Sequence, residues 1–172
     1  MKAIAVNADY SLSAEEQKTP VPGPNEILIK VQCAGVNRAD LMQRRGFYPP
    51  PPGASKILGL ECSGIVESVG RNCERYRGGD SVCALLSGGG YAEYVAVDEG
   101  SVLPMPVGFS FEQAASLPEV FATAWLNLFD KGELKKNSNV LIHAGASGVG
   151  TAATQLCRVY ESRPWVTVGS QF

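Results

Sequence analysis

Apolar and polar positions alternate with a period of two through most of residues 1 to 110, in short β-rich runs separated by Gly and Pro. The runs Lys2 to Val6, Glu26 to Val36, Glu61 to Val69, Asp80 to Leu86, Tyr91 to Val97 and Ser101 to Leu103 predict the strands of a compact all-β unit. Pro20-Val21-Pro22-Gly23-Pro24-Asn25 reads as a turn. Pro49-Pro50-Pro51-Pro52-Gly53 reads as a stiff extended loop, because proline has no N–H to give to a sheet interior. Gly88-Gly89-Gly90, between two β runs and with no helix or Lys after it, predicts a hairpin. One short helix is expected from Arg38 to Arg45, with Asn37 as its N-cap and Asp40 near the dipole end that favours negative charge.

After Gly108 the period moves towards 3.6, with Phe111, Ala114 and Ala115, then Val120, Ala124, Leu126 and Leu128 at helical spacings. Ser110-Phe111-Glu112-Gln113 has the form of a capping box, so a helix should begin at Phe111 and be interrupted before Pro118. A second helix follows from about Glu119 to Asp130. Strand Val140 to His143, helix Val149 to Tyr160 and strand Trp165 to Val168 complete the pattern, which divides the chain into residues 1–118 and 119–172. Tyr160-Glu161-Ser162-Arg163-Pro164, after the last helix, lacks the Gly best suited to a left-handed C-cap.

The candidate chemistry lies at the strand-to-helix junction Gly145-Ala146-Ser147-Gly148-Val149-Gly150. Small residues there let backbone amides at a helix N-terminus approach a pyrophosphate, as a dinucleotide-binding unit requires. Ser147 replaces the middle Gly of the G-x-G-x-x-G pattern, but it keeps its backbone amide and brings a hydroxyl that can donate to a phosphate oxygen. Gly169-Ser170-Gln171 follows the last strand with no acid to bond ribose hydroxyls, which leaves room for a 2′-phosphate and favours NADPH over NADH. His143, the sole histidine, is expected to be structural.

Charge and composition narrow the partners. A net charge of -2 with no Lys or Arg run gives no footprint for nucleic acid or an acidic membrane. No apolar stretch approaches a membrane span, and the first residues do not form a signal sequence, so the expected location is cytoplasmic. The five cysteines are spread without a C-x-x-C pair, which predicts reduced, mostly buried thiols.

The order of these elements, together with Asn37-Arg38-Ala39-Asp40-Leu41-Met42-Gln43-Arg44-Arg45-Gly46-Phe47-Tyr48-Pro49-Pro50, Ile57-Leu58-Gly59-Leu60-Glu61-Cys62-Ser63-Gly64 and Leu117-Pro118-Glu119, resembles the quinone oxidoreductase branch of the zinc-independent medium-chain dehydrogenase/reductase family. The resemblance implies a β-rich GroES-like domain followed by the start, strand-helix-strand, of an α/β Rossmann domain. It implies NADPH as hydride donor and a quinone or other small carbonyl acceptor, such as an enone. Asn37, Asp40 and Tyr48 would line the acceptor side. Thr123 would bond the nicotinamide carboxamide, and Gly145, Ala146, Ser147, Gly148, Val149, Gly150, Gly169 and Ser170 would hold the rest of the cofactor. Zinc-dependent relatives use a Cys and a His-Glu pair where this chain has Asn37 and Leu60-Glu61, so no metal is expected.

Two strands and one crossover helix make only part of a Rossmann domain, so the chain is expected to be C-terminally truncated and, alone, weakly active or inactive. The alternative expectation is a non-catalytic binding or assembly protein, in which an exposed Rossmann strand edge pairs with a partner or forms a homodimer.

Overall fold

The computed structural model describes residues 1–169, and the chain divides into two compact units, Met1–Pro118 and one beginning at Glu119. In the first unit, β1 (Lys2–Val6) and β2 (Leu12–Glu16) form an antiparallel hairpin. A five-stranded antiparallel sheet has the order β6-β3-β4-β5-β7, with β3 Glu26–Ala34, β4 Glu61–Val69, β5 Ser81–Leu85, β6 Tyr94–Asp98 and β7 Val102–Pro104. Alternate residues Ile27 and Ile29, Cys62 and Val66, Val82 and Ala84, and Val95 and Val97 point into one core, which is why the period-two runs fold as a single layer around it.

Strand β2 was not expected. Only Leu12 and Ala14 interrupt its polar residues, and most of its positions stay exposed, so it forms through its ladder with β1 and carries little hydrophobic signal of its own. Gly88-Gly89-Gly90 is not a hairpin, because β5 and β6 are not neighbours in the sheet. The loop instead lies along residues 57–59: Gly89, Gly90 and Tyr91 donate their N–H groups to the carbonyls of Ile57, Gly59 and Leu58.

Helix α1 (Arg38–Arg44) follows β3, and α2 (Phe111–Ala115) starts at Ser110 with the expected capping box closed by Gln113. In the second unit, α3 spans Pro118–Trp125 and then widens into a π-helical turn over Leu126–Lys131. Strand β8 (Asn139–Ile142), α4 (Gly148–Val159) and β9 (Arg163–Val166) form a parallel β-α-β unit. Ala152, Ala153 and Cys157 of α4 pack with Ala124 and Leu128, against Val140 and Ile142 of β8.

β9 begins two residues earlier than the expected Trp165, at Arg163. Arg163 N–H donates to Ser138 and Thr167 N–H to Ile142, so odd positions face β8 and Pro164 turns its missing donor away from the ladder. Helix α4 also ends without glycine. Glu161 itself takes φ +53°, and Ser162 and Glu161 donate to the carbonyls of Cys157 and Arg158, the paired bonds of a Schellman cap.

Candidate functional site

In the first unit, the start of α1 meets two buried carboxyl groups. Asp40 is 1% exposed, and its oxygens accept from the N–H of Asn37 at 2.8 Å, the N–H of Gly59 at 3.2 Å and the hydroxyl of Tyr91 at 2.9 Å. Two distant segments and the helix's own N-cap are thereby drawn onto one side chain. Burial, followed by the hydrogen bond and negative charge of Asp40, pushes the Tyr91 phenol above its ordinary range and keeps its proton on.

Glu61, at the first position of β4 and 3% exposed, accepts from Asn37 Nδ2 at 2.8 Å. Asn37 and Asp40 face each other as a reciprocal capping box, and the Asn37 side chain remains half-buried at the surface. Tyr48 lies beyond the end of α1, where Phe47 N–H donates to the Met42 carbonyl; its ring is 49% exposed. Of the three acceptor-side residues expected from sequence, Asn37 and Asp40 are thus bonded to one another and Tyr48 stands in the neighbouring loop. Glu61 and Tyr91 join the cluster although they were not expected as site residues. The available signal was an acid opening a strand whose next three residues are buried.

The second unit carries the glycine loop. A Cβ on Gly150 would stand 2.4 Å from the Ala144 carbonyl oxygen, and one on Gly145 would stand 2.6 Å from Val166 Cβ. Only glycine therefore lets β8 turn into α4 with the helix this close to the strand. Ala144 itself holds φ +55°, a left-handed conformation that costs an alanine energy and closes the turn through its carbonyl bond to Ser147 N–H. Ser147 caps α4 by accepting from Gly150 N–H at 3.1 Å, which leaves its own hydroxyl hydrogen able to donate.

The first-turn amides of Gly148 and Val149 have no intrahelical acceptor, so they supply N–H groups and the positive dipole end at the loop. Ala146 and Gly145 line an open depression of about 400 Å³ that continues along Thr151 and Val168. Thr123 lies on α3 one turn after Val120, and Val120 Cγ1 would be 2.9 Å from a Cβ on Gly148, so the two residues share the helix face that meets the loop. His143 Nδ1 lies 3.1 Å from Thr167 Oγ1. Gly169 has open space at its Cα, whereas Ser170 lies outside the described residues.

Residues 23–107 match the family described as the alcohol dehydrogenase GroES-like domain. The synaptic vesicle membrane protein VAT-1 homolog of Danio rerio is 43% identical over 139 residues, which cover 81% of this chain and 29% of that protein. Among solved structures, the CurK enoyl reductase has a TM-score of 0.88 at 28% identity, over 98% of this chain and 54% of its own. Escherichia coli quinone oxidoreductase complexed with NADPH has a TM-score of 0.80 at 31% identity, over 98% of this chain and 52% of its own. The chain is similar to medium-chain dehydrogenase/reductase enzymes.

The chain therefore combines a GroES-like domain with the start of a Rossmann-like fold, as the sequence resemblance implied. It spans 29% of the VAT-1 homolog's length and about half the length of the two solved structures. Its structural neighbours include quinone oxidoreductases and enoyl reductases. Asn37 turns its amide to Glu61, and the neighbouring Leu60 is buried at 8% exposure. All five cysteines are free, and burial pushes the thiols of Cys62 and Cys83 up to about 12 and about 11. No helix among the described residues is long and apolar enough to cross a membrane.

Proposed function

We propose that the chain serves NADPH-dependent reduction of a quinone or enone by hydride transfer, without a metal. The observation that carries this reading is the glycine loop: Gly145 and Gly150 admit a close backbone approach at the capped N-terminus of α4, where a pyrophosphate would sit against amides and the Ser147 hydroxyl. Such a site fits a nicotinamide dinucleotide. The lack of an acid in Gly169-Ser170-Gln171 supports the 2′-phosphorylated form, with Gly169 and Ser170 beside the ribose. Thr123 would hold the nicotinamide carboxamide.

Bound NADPH supplies a hydride from its nicotinamide ring, and with one proton from solvent it converts a quinone to a quinol. The protein's own part is positioning and hydrogen bonding. Asn37 would donate to the acceptor oxygen, Tyr48 would cover the acceptor, and Asp40 would act at one remove by holding the start of α1 in place. Within the family, the stretch Asn37 to Pro50 favours the quinone oxidoreductase branch and resembles its p53-inducible animal members. A cytoplasmic location accords with this soluble chemistry.

A test is to follow nicotinamide absorbance while the purified chain is mixed with NADPH and either a quinone or a cyclic enone. Acceptor-dependent oxidation that NADH does not match supports the proposal. A second reading, a binding or assembly protein, is favoured by one feature: Leu141 and Trp165, register partners on β8 and β9, are each 63% exposed on one sheet face.

A further inference from the structure

An asparagine amide has a carbonyl oxygen that accepts and an NH₂ that donates twice, so its direction decides what it offers a ligand. At Asn37 both ends are constrained. A carboxylate oxygen accepts and does not donate, and Glu61 Oε1 takes one Nδ2 hydrogen at 2.8 Å; a reversed amide would set oxygen against oxygen. The Asn37 side-chain oxygen is turned towards the Asp40 N–H in the capping box, while that N–H donates to the Asn37 main-chain carbonyl at 3.1 Å. Both neighbours therefore select the same orientation.

The partner is closed on one side. A Cβ on Gly35 would lie 2.1 Å from Glu61 Oε1, so the bare backbone of Gly35 lies directly against the carboxyl group. Asp40 fixes the other side by taking the Asn37 N–H. One Nδ2 hydrogen remains after these bonds are counted, on a side chain that is only half-buried.

We propose that Glu61 is a positioning residue that locks the Asn37 amide, so that its second Nδ2 hydrogen is presented as a fixed donor to the carbonyl oxygen of the acceptor. This rests on the reading of Asn37 as an acceptor-side residue. A donor held in advance loses no rotational freedom when it engages, and it strengthens as charge builds on the oxygen during reduction. The ligand class that follows is a planar carbonyl compound with an accessible oxygen. A hydroxyl-only ligand gains less, because the exposed group is a donor.

The experiment uses the ¹⁵N-labelled 172-residue chain and 9,10-phenanthrenequinone, a quinone with no free conjugate-addition position for the thiols. The two Nδ2 protons of Asn37 are expected as well-separated signals, one protected from exchange, and the other is expected to move when the quinone is added. E61L, which carries no acceptor, should bring the signals together and speed their exchange. N37A and E61L should each weaken quinone binding about three- to tenfold, the loss of one hydrogen bond, and the double variant should bind no more weakly than N37A. A purely structural role of Glu61 would lower stability without that non-additivity.

Rapidly exchanging, near-equivalent Nδ2 protons in the wild-type chain overturn the lock without recourse to any variant, as do additive losses in the double variant. A locked amide in a chain that takes up no quinone overturns the donor role and the acceptor-site reading together. Quinone binding that is indifferent to E61L overturns the lock alone.

Discussion

Asp40 carries the largest single-residue consequence. Its carboxyl group serves the N–H of Asn37, the N–H of Gly59 and the hydroxyl of Tyr91 inside the protein; cutting the side chain back would leave the two N–H groups without their acceptor and the hydroxyl with only the longer bond to the Gly35 carbonyl. Asp40→Ala should therefore cost about 3 kcal/mol of stability, read as a fall in the urea midpoint; a loss within the range of ordinary surface substitutions would show that water replaces the carboxyl group. The buried thiols give a pH dependence. Cys62 and Cys83 hold their protons to about 12 and about 11 in the folded chain, against an ordinary 9.0, while the unfolded chain releases them earlier. The folded state then binds more protons, so stability should be unaffected by these groups below about pH 9 and fall as the pH rises above it. Alkylation at pH 8 followed by mass spectrometry gives a companion check, with Cys62 and Cys83 unlabelled until urea is added.

At the scale of elements, the two ends of α4 make opposite predictions. Ser147 satisfies an otherwise open N–H at the start, so Ser147→Ala should destabilise the second unit by about 1 kcal/mol. Glu161 occupies a left-handed position at the other end, so Glu161→Gly should stabilise the unit by about 1 kcal/mol despite losing the exposed ion pair with Lys136. Thermal melts of the two variants should shift in opposite directions. These ends also mark how far the sequence could be read. Strands β3 and β4 were legible because Ile27, Ile29, Cys62 and Val66 repeat every second residue into one core. The start of β9 was displaced because Pro164 looks like a strand breaker until its orientation in the ladder is known. The π-helical turn over Leu126–Lys131 has an apolar pattern close to that of an α-helix, so spacing alone did not separate the two.

At the scale of the whole molecule, the family signal lay in local motifs, whereas the buried cluster did not. Asn37 and Asp40 are three positions apart and were read together. Glu61 and Tyr91 join them only because β4 begins beside the end of β3 and because Ile4 N–H ties residue 91 to β1. That long-range pairing leaves no periodic trace in the sequence. The open face bearing Leu141 and Trp165 makes its own prediction: the chain should elute at a concentration-dependent size on gel filtration, and the double substitution Leu141→Lys and Trp165→Lys should make it monomeric. Wild-type protein that stays monomeric at every concentration would remove the support for an assembly role.

The central claim, that the glycine loop is a working NADPH site, is tested most directly by titrating the purified 172-residue chain with NADPH and following nicotinamide fluorescence, with NADH as control and Gly150→Val as the disabled loop. The expected result is saturable binding that prefers NADPH and disappears in Gly150→Val, whose Cβ would collide with the Ala144 carbonyl. No binding at millimolar NADPH by a wild-type chain that is folded by circular dichroism, or equal binding by Gly150→Val, would contradict it.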